Sequence, residues 1–120
     1  MRAVRPTVLI VDDHADFRIS ARELLEADGL DVVGEAASGS EAISEVERLK
    51  PQIVLLDIQL PGEDGFSVAE QLAAAPSPPA VVLISSREAE AYGQRIAQAA
   101  ARGFIPKRAL SGEAITGLVG

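Results

Sequence analysis

The chain of 120 residues has no cysteine, no tryptophan, one histidine, one tyrosine and three phenylalanines. Without cysteine there is no disulfide, no thiol nucleophile and no thiolate ligand for zinc. With His14 as the single histidine, a multi-histidine metal site and a two-histidine relay are excluded. No apolar run approaches the ~18 residues that a membrane span needs. The run Val8–Val11 stops at Asp12 and is too short for the apolar region of a signal peptide. Positive charge is scarce as well: 11 Lys and Arg stand against 18 Asp and Glu, a net charge of −7. A phosphate backbone selects a basic footprint, so direct nucleic-acid binding is not expected. The expected location is the cytoplasm, with no membrane contact.

What is present is the balance of a globular domain. Hydrophobic residues make up 48% and charged residues 24%, enough to close a core at a length suited to one domain, residues 1–120. Short apolar runs alternate with amphipathic stretches. Thr7–Val11, Asp31–Ala36, Gln52–Leu56, Ala80–Ile84 and Gly103–Pro106 read as strands. Several are apolar at every position, as strands buried on both faces of a parallel sheet are. Between them, helical spacing predicts helices over Asp16–Ala27, Gly39–Leu49, Gly65 or Phe66 to Ala75, and Glu88 to about Ala101. Ser38 and Glu41 form a capping-box pair for the second, and Pro51 ends it. A fifth helix starts near Ser111 and is expected to be cut short by Gly117 and Gly120. The Pro76–Pro79 stretch reads as a tight loop. Five βα units in succession predict an α/β fold, doubly wound, with a five-stranded parallel sheet and helices on both faces.

In open parallel sheets, ligands bind beyond the carboxyl ends of the strands. The residues at those ends are Asp12 and Asp13, Asp57, Ser85 and Lys107. They are distant in the chain, and the fold predicts that they share one sheet edge. Three carboxylates crowded together repel unless a cation intervenes. An oxygen-rich set without cysteine or a histidine cluster suits Mg²⁺. Lys107, one of two lysines, follows an apolar strand, where an ammonium needs an anionic partner. Metal, ammonium and hydroxyl around one carboxylate form a site that can handle a phosphoryl group.

Each of these residues also has a plainer explanation. Asp12 and Asp13 could be a helix-capping pair, Asp57 a turn former before Leu60-Pro61-Gly62, Ser85 a structural strand end and Lys107 a snorkelling surface cation. His14 reads as a residue at the start of the first helix, without a chemical role, and Asp64-Gly65 as a loop and helix start. What weighs against the plain explanations is their convergence on one edge.

The segments VLIVDDH (8–14), VLLDIQLPGEDG (54–65), VVLISS (81–86) and GFIPK (103–107) together resemble the receiver domain of bacterial two-component response regulators, the CheY-like, flavodoxin-like fold. Phe17-Arg18 and Val33-Gly34-Glu35-Ala36 are similar to the subgroup whose full-length members carry a C-terminal helix-turn-helix DNA-binding domain. No such output domain is present in the 120 residues. The resemblance implies strand order 2-1-3-4-5. It implies Asp57 as phosphoacceptor and Asp12 and Asp13 as the acidic pair holding Mg²⁺, with the Gln59 backbone carbonyl as a further ligand. Ser85 becomes the switch hydroxyl, Lys107 the cation that contacts the phosphoryl group, and Phe104 the aromatic switch residue. Gln59 and Arg87 fall at the positions that tune dephosphorylation. The implied partners are a sensor histidine kinase and, as a mode of output, a second copy of the chain. The implied chemistry is that of a phosphoacceptor that catalyses its own phosphorylation and dephosphorylation, and not of an enzyme with turnover.

Two positions depart from the family pattern. Arg108 follows Lys107 where the family often has a proline in a cis peptide; a non-proline cis bond costs ~3 kcal/mol. Ser86 stands where a smaller residue is common. Two other functions are weighed on the sequence. One is an aspartate-nucleophile phosphatase, which needs a second acid where Gln59 stands, so turnover on external phosphomonoesters is not expected. The other is a phosphorylation-independent receiver acting as a protein-binding module.

Overall fold

A computed structural model describes residues 5–120. The principal strands are β1 (Thr7–Val11), β2 (Asp31–Ala36), β3 (Ile53–Asp57), β4 (Ala80–Ser85) and β5 (Gly103–Pro106). They form one sheet in the order β2-β1-β3-β4-β5, and every pairing is parallel. This is the doubly wound order 2-1-3-4-5. The two-residue strands Gln59–Leu60 and Glu63–Asp64 make a separate small antiparallel hairpin.

The helices are α1 (Ala15–Ala27), α2 (Gly39–Leu49), α3 (Gly65–Ala73), α4 (Arg95–Gln98) and α5 (Gly112–Val119). Successive strand residues point to opposite faces, and the sheet therefore carries two cores. Leu9, Val11, Val54, Leu56, Val81 and Leu83 face α2 and α3. Val8, Ile10, Ile53, Leu55, Val82 and Ile84 face α1 and α5. Val8 to Val11 and Val54 to Leu56 are fully buried, which accounts for the unbroken apolar runs. The expected Ser38 cap forms: Ser38 Oγ accepts from Glu41 N–H at 3.2 Å, while Glu41 Oε1 accepts from Ala37 N–H at 2.9 Å.

Three expectations need correction. The continuous helix expected from Glu88 to about Ala101 is absent. A 3₁₀ turn, Ala89–Tyr92, is followed by Gly93 and then by the single turn of α4. Gly93 sits at φ 57°, ψ −132°, a conformation that glycine adopts without steric penalty and that no helix continues through. The apolar stripe is also thin: Tyr92, Ile96 and Ala99 reach the core while residues 86–91 are exposed. The helix expected to end at Ala75 ends at Ala73. The last helix, in contrast, passes through Gly117. Ile115 is fully buried, and Leu118 and Val119 pack beneath the sheet, which outweighs the ~1 kcal/mol that an interior glycine costs. Among the described residues no peptide bond is cis, Lys107–Arg108 included, and no helix is long and apolar enough to cross a membrane.

Candidate functional site

The same alternation that builds two cores sorts the polar residues at the carboxyl edge. Asp57 follows Ile53 and Leu55 on the α1/α5 face of β3. Ser85 follows Val81 and Leu83 on the opposite face of β4, with Phe104 of β5. Asp12 and Ser85 are fully buried and Asp57 is 3% exposed. Three strand ends leave the sheet through one local device, a side-chain oxygen accepting the N–H two residues on. Asp12 Oδ1 accepts from His14 N–H at 2.8 Å, Asp57 Oδ1 from Gln59 N–H at 3.0 Å, and Ser85 Oγ from Arg87 N–H at 3.0 Å.

Those turns occupy one oxygen of each aspartate and leave the other to the site. Asp12 Oδ2 accepts from Lys107 Nζ at 2.6 Å, and Asp57 Oδ2 lies 3.5 Å from the same ammonium. Lys107 thus spans both acids, and its Nζ also stands 4.3 Å from the centroid of the Phe17 ring. The Arg18 guanidinium donates to the Asp12 backbone carbonyl and pairs with Glu35 on β2, which pins the start of α1 to the sheet. Burial pushes the Glu35 carboxyl up, but Arg22 and Arg18 outweigh it and hold it below the ordinary value.

Asp13 does not cap α1. The N-cap is His14, with no side-chain cap bond. Asp13 Oδ1 is buried and has no hydrogen-bond partner; the His14 ring nitrogen stands 3.3 Å from it. Carboxylate oxygens of Asp12, Asp13 and Asp57 and a His14 ring nitrogen all lie within 4.8 Å of one another. An orphaned buried oxygen beside two further carboxylates fits a hard divalent cation, which such oxygens prefer. Desolvation is the largest influence on Asp57 and pushes its carboxyl up from 3.8 to about 6; the Gln59 N–H and Lys107 act against it, and Asp12 adds to it.

The edge therefore brings Asp12, Asp13, Asp57 and Lys107 into one cluster. Ser85 and Phe104 lie on the other face of the same edge. Gln59 is exposed and reaches the cluster through its backbone N–H. Arg87 and Ser86 are exposed at the rim. Arg108 points away, paired with Glu88 at 2.6 Å.

Sequence reasoning missed three residues. His14 joins the acidic cluster. Phe17 supplies a ring beneath Lys107. Tyr92 bonds Ser85, hydroxyl to hydroxyl, at 2.5 Å, and its ring lies between Phe66 at 5.9 Å and Phe104 at 6.1 Å. The aromatic of α1 was available at helical spacing, and His14 by adjacency to Asp13. Nothing in the pattern marks Tyr92 apart from its being the one tyrosine.

The chain matches the family described as response regulator receiver domain over residues 8–117. Response regulator GacA of Pseudomonas viridiflava is 38% identical over 103 residues, 85% of this chain and 48% of that protein. DNA-binding transcriptional activator EvgA of Escherichia coli K12 is 33% identical over 100 residues, 83% of this chain and 49% of that one. The chain spans about half the length of the curated relatives it matches. Among solved structures, the NarL signal receiver domain from Mycobacterium tuberculosis superposes with a TM-score of 0.87 at 30% identity, covering 98% of both chains. The response regulator domain of Thermotoga maritima CheB, at 24% identity and TM-score 0.81 over 96% of this chain and 94% of that one, shares the fold.

Proposed function

The chain belongs to the response regulator receiver domain family, and on that premise we propose that it is the phosphorylation-dependent switch of a two-component system, with Asp57 as phosphoacceptor. The observation that carries this is the cluster itself: a buried Asp57 with one oxygen 3.5 Å from Lys107, beside the unpartnered Asp13 Oδ1. A sensor histidine kinase presents a phosphohistidine. A free oxygen of Asp57 attacks phosphorus, the P–N bond breaks, and the imidazole leaves with the bonding electrons and takes a proton from solvent. The product is an acyl phosphate on Asp57.

Asp12, Asp13, Asp57 and the Gln59 carbonyl would hold Mg²⁺, which offsets the charge on the transferring oxygens. Lys107 stabilises the same charge from the other side. Its 2.6 Å bond to Asp12 keeps the ammonium aimed into the cluster. Ser85 then donates to a phosphoryl oxygen, and Phe104 moves into the space it leaves. That movement changes how the α4–β5–α5 surface binds partners, a second copy of the chain included.

The domain reverses its own state: water attacks phosphorus, the P–O bond to Asp57 breaks, and phosphate leaves. Gln59 and Arg87, exposed at the rim, set how fast that water arrives. With an amide at Gln59 in place of a second acid, the chain is a phosphoacceptor and not a turnover phosphatase. A relative named as a DNA-binding transcriptional activator, of which this chain covers 49%, supports a place in transcription regulation; the cytoplasmic location and a C-terminal DNA-binding domain are what the family resemblance implies.

Incubation with a small acyl phosphate and Mg²⁺, followed by phosphate-affinity electrophoresis, tests the proposal. A shifted band in the wild type that is absent from Asp57→Ala is the expected result. No band in the wild type would remove the switch and leave a phosphorylation-independent binding module.

A further inference from the structure

Ser85 and Phe104 have a neighbour in common, Tyr92. Ser85 is fully buried, and its hydroxyl has one proton to give and two acceptor positions. Arg87 N–H fills one acceptor position at 3.0 Å, and Tyr92 OH stands 2.5 Å away, short for a hydroxyl pair. Both partners lie on the segment that leaves β4. Among the described residues, no hydrogen bond joins Ser85 to Asp57. The Tyr92 ring packs edge-on against Phe66 and tilted against Phe104. It therefore touches both residues that the switch moves.

We infer that Tyr92 is a positioning residue that latches Ser85 in the unphosphorylated arrangement through the Tyr92–Ser85 hydroxyl bond. The inference rests on the switch function proposed above and names a regulator of that site. The latch has Ser85 donating to the Tyr92 oxygen: the hydroxyl has a single proton, which serves Tyr92 or a phosphoryl oxygen on Asp57 and not both, and it changes partner by rotating to another staggered position. The bond to Tyr92 is lost in the phosphorylated state and opposes it. Its release frees the ring that holds the 3₁₀ turn Ala89–Tyr92 against Phe66 and Phe104. Gly93, next in the chain at φ 57°, is the backbone break that lets this turn move without α4. The weakly packed segment 86–102 is then the part of the surface that reports the change.

The test uses beryllofluoride, a phosphoryl mimic, added to the whole chain with Mg²⁺, with binding followed by fluorine NMR. Tyr92→Phe keeps the ring and removes the hydroxyl. Losing one hydrogen bond that opposes binding should tighten the mimic about 2- to 10-fold. In a Ser85→Ala background the same change should have no effect. The chain has one tyrosine and no tryptophan, so its intrinsic emission reports Tyr92 alone. Saturating wild type with the mimic should shift that emission to the value of free Ser85→Ala protein. This second readout stands even if Tyr92→Phe folds poorly. Equal or weaker binding by a folded Tyr92→Phe overturns the latch, as does an emission that the mimic leaves unchanged. A wild type that binds the mimic while failing these tests loses the latch and keeps the switch. A wild type that binds no mimic loses both.

Discussion

Asp57 ionises near 3.8 in an unfolded chain and near 6 when folded, chiefly because burial disfavours its charge. Between those values the folded state holds more protons than the unfolded state, so this group's contribution to stability falls as pH rises through the window. Above it the full penalty is present. Asp57→Asn should therefore stabilise the cation-free protein by about 1–3 kcal/mol at pH 7 and by close to nothing below pH ~4, read by urea unfolding at both values. Equal stability at pH 7 would contradict the placement of Asp57. Lys107 acts in the opposite direction. Its ammonium is the partner of the fully buried Asp12, and Lys107→Ala leaves that carboxylate uncompensated, a loss of about 2–4 kcal/mol. Asp12→Asn should recover part of it in the double variant, as a double-mutant cycle would show. At this scale the sequence reveals Asp12, Asp13, Asp57, Ser85 and Lys107, because a charged or polar residue ending an apolar run stands out against its neighbours. Tyr92 does not stand out. It acts through a contact between β4 and the turn after it, and no spacing rule encodes that contact.

Among the elements, β1 to β5, α1 and α2 follow the sequence expectation closely because apolar periodicity, Ser38 and Pro51 all agree. The segment after β4 does not. Its alanine-rich composition favours helix, yet few of its side chains reach the core, and packing rather than propensity sustains most helices. Amide hydrogen exchange should be faster over residues 86–102 than over α2, by the difference between local and global opening; comparable protection would contradict the broken helix. The start of α3 shows the reverse, a tight fit invisible in the sequence. A Cβ on Gly65 would lie 2.6 Å from Ile58 Cα and 2.7 Å from the Asp57 carbonyl oxygen. Backbone cannot yield as a side chain does. Gly65→Ala should push α3 off the Asp57 loop at a cost of about 1–3 kcal/mol, measured as a lower denaturant midpoint, and weaken divalent-cation binding with it.

For the molecule as a whole, the βα alternation is enough to predict a doubly wound sheet, and the strand ends are enough to predict where its ligand site lies. The division of that edge into a charged face and a serine–aromatic face becomes visible only once the two-residue period of each strand is fixed in register. A cation bound to the folded state alone raises stability by about 1.4 kcal/mol at ten times its dissociation constant. Mg²⁺ should therefore raise the unfolding midpoint of wild type and not of Asp13→Asn. If Asp57 is the phosphoacceptor, intact mass after incubation with a phosphodonor and Mg²⁺ should show one added phosphoryl group on the wild type and none on Asp57→Asn. Phosphoryl groups on both proteins alike, or on neither, would mean that Asp57 is not the residue modified.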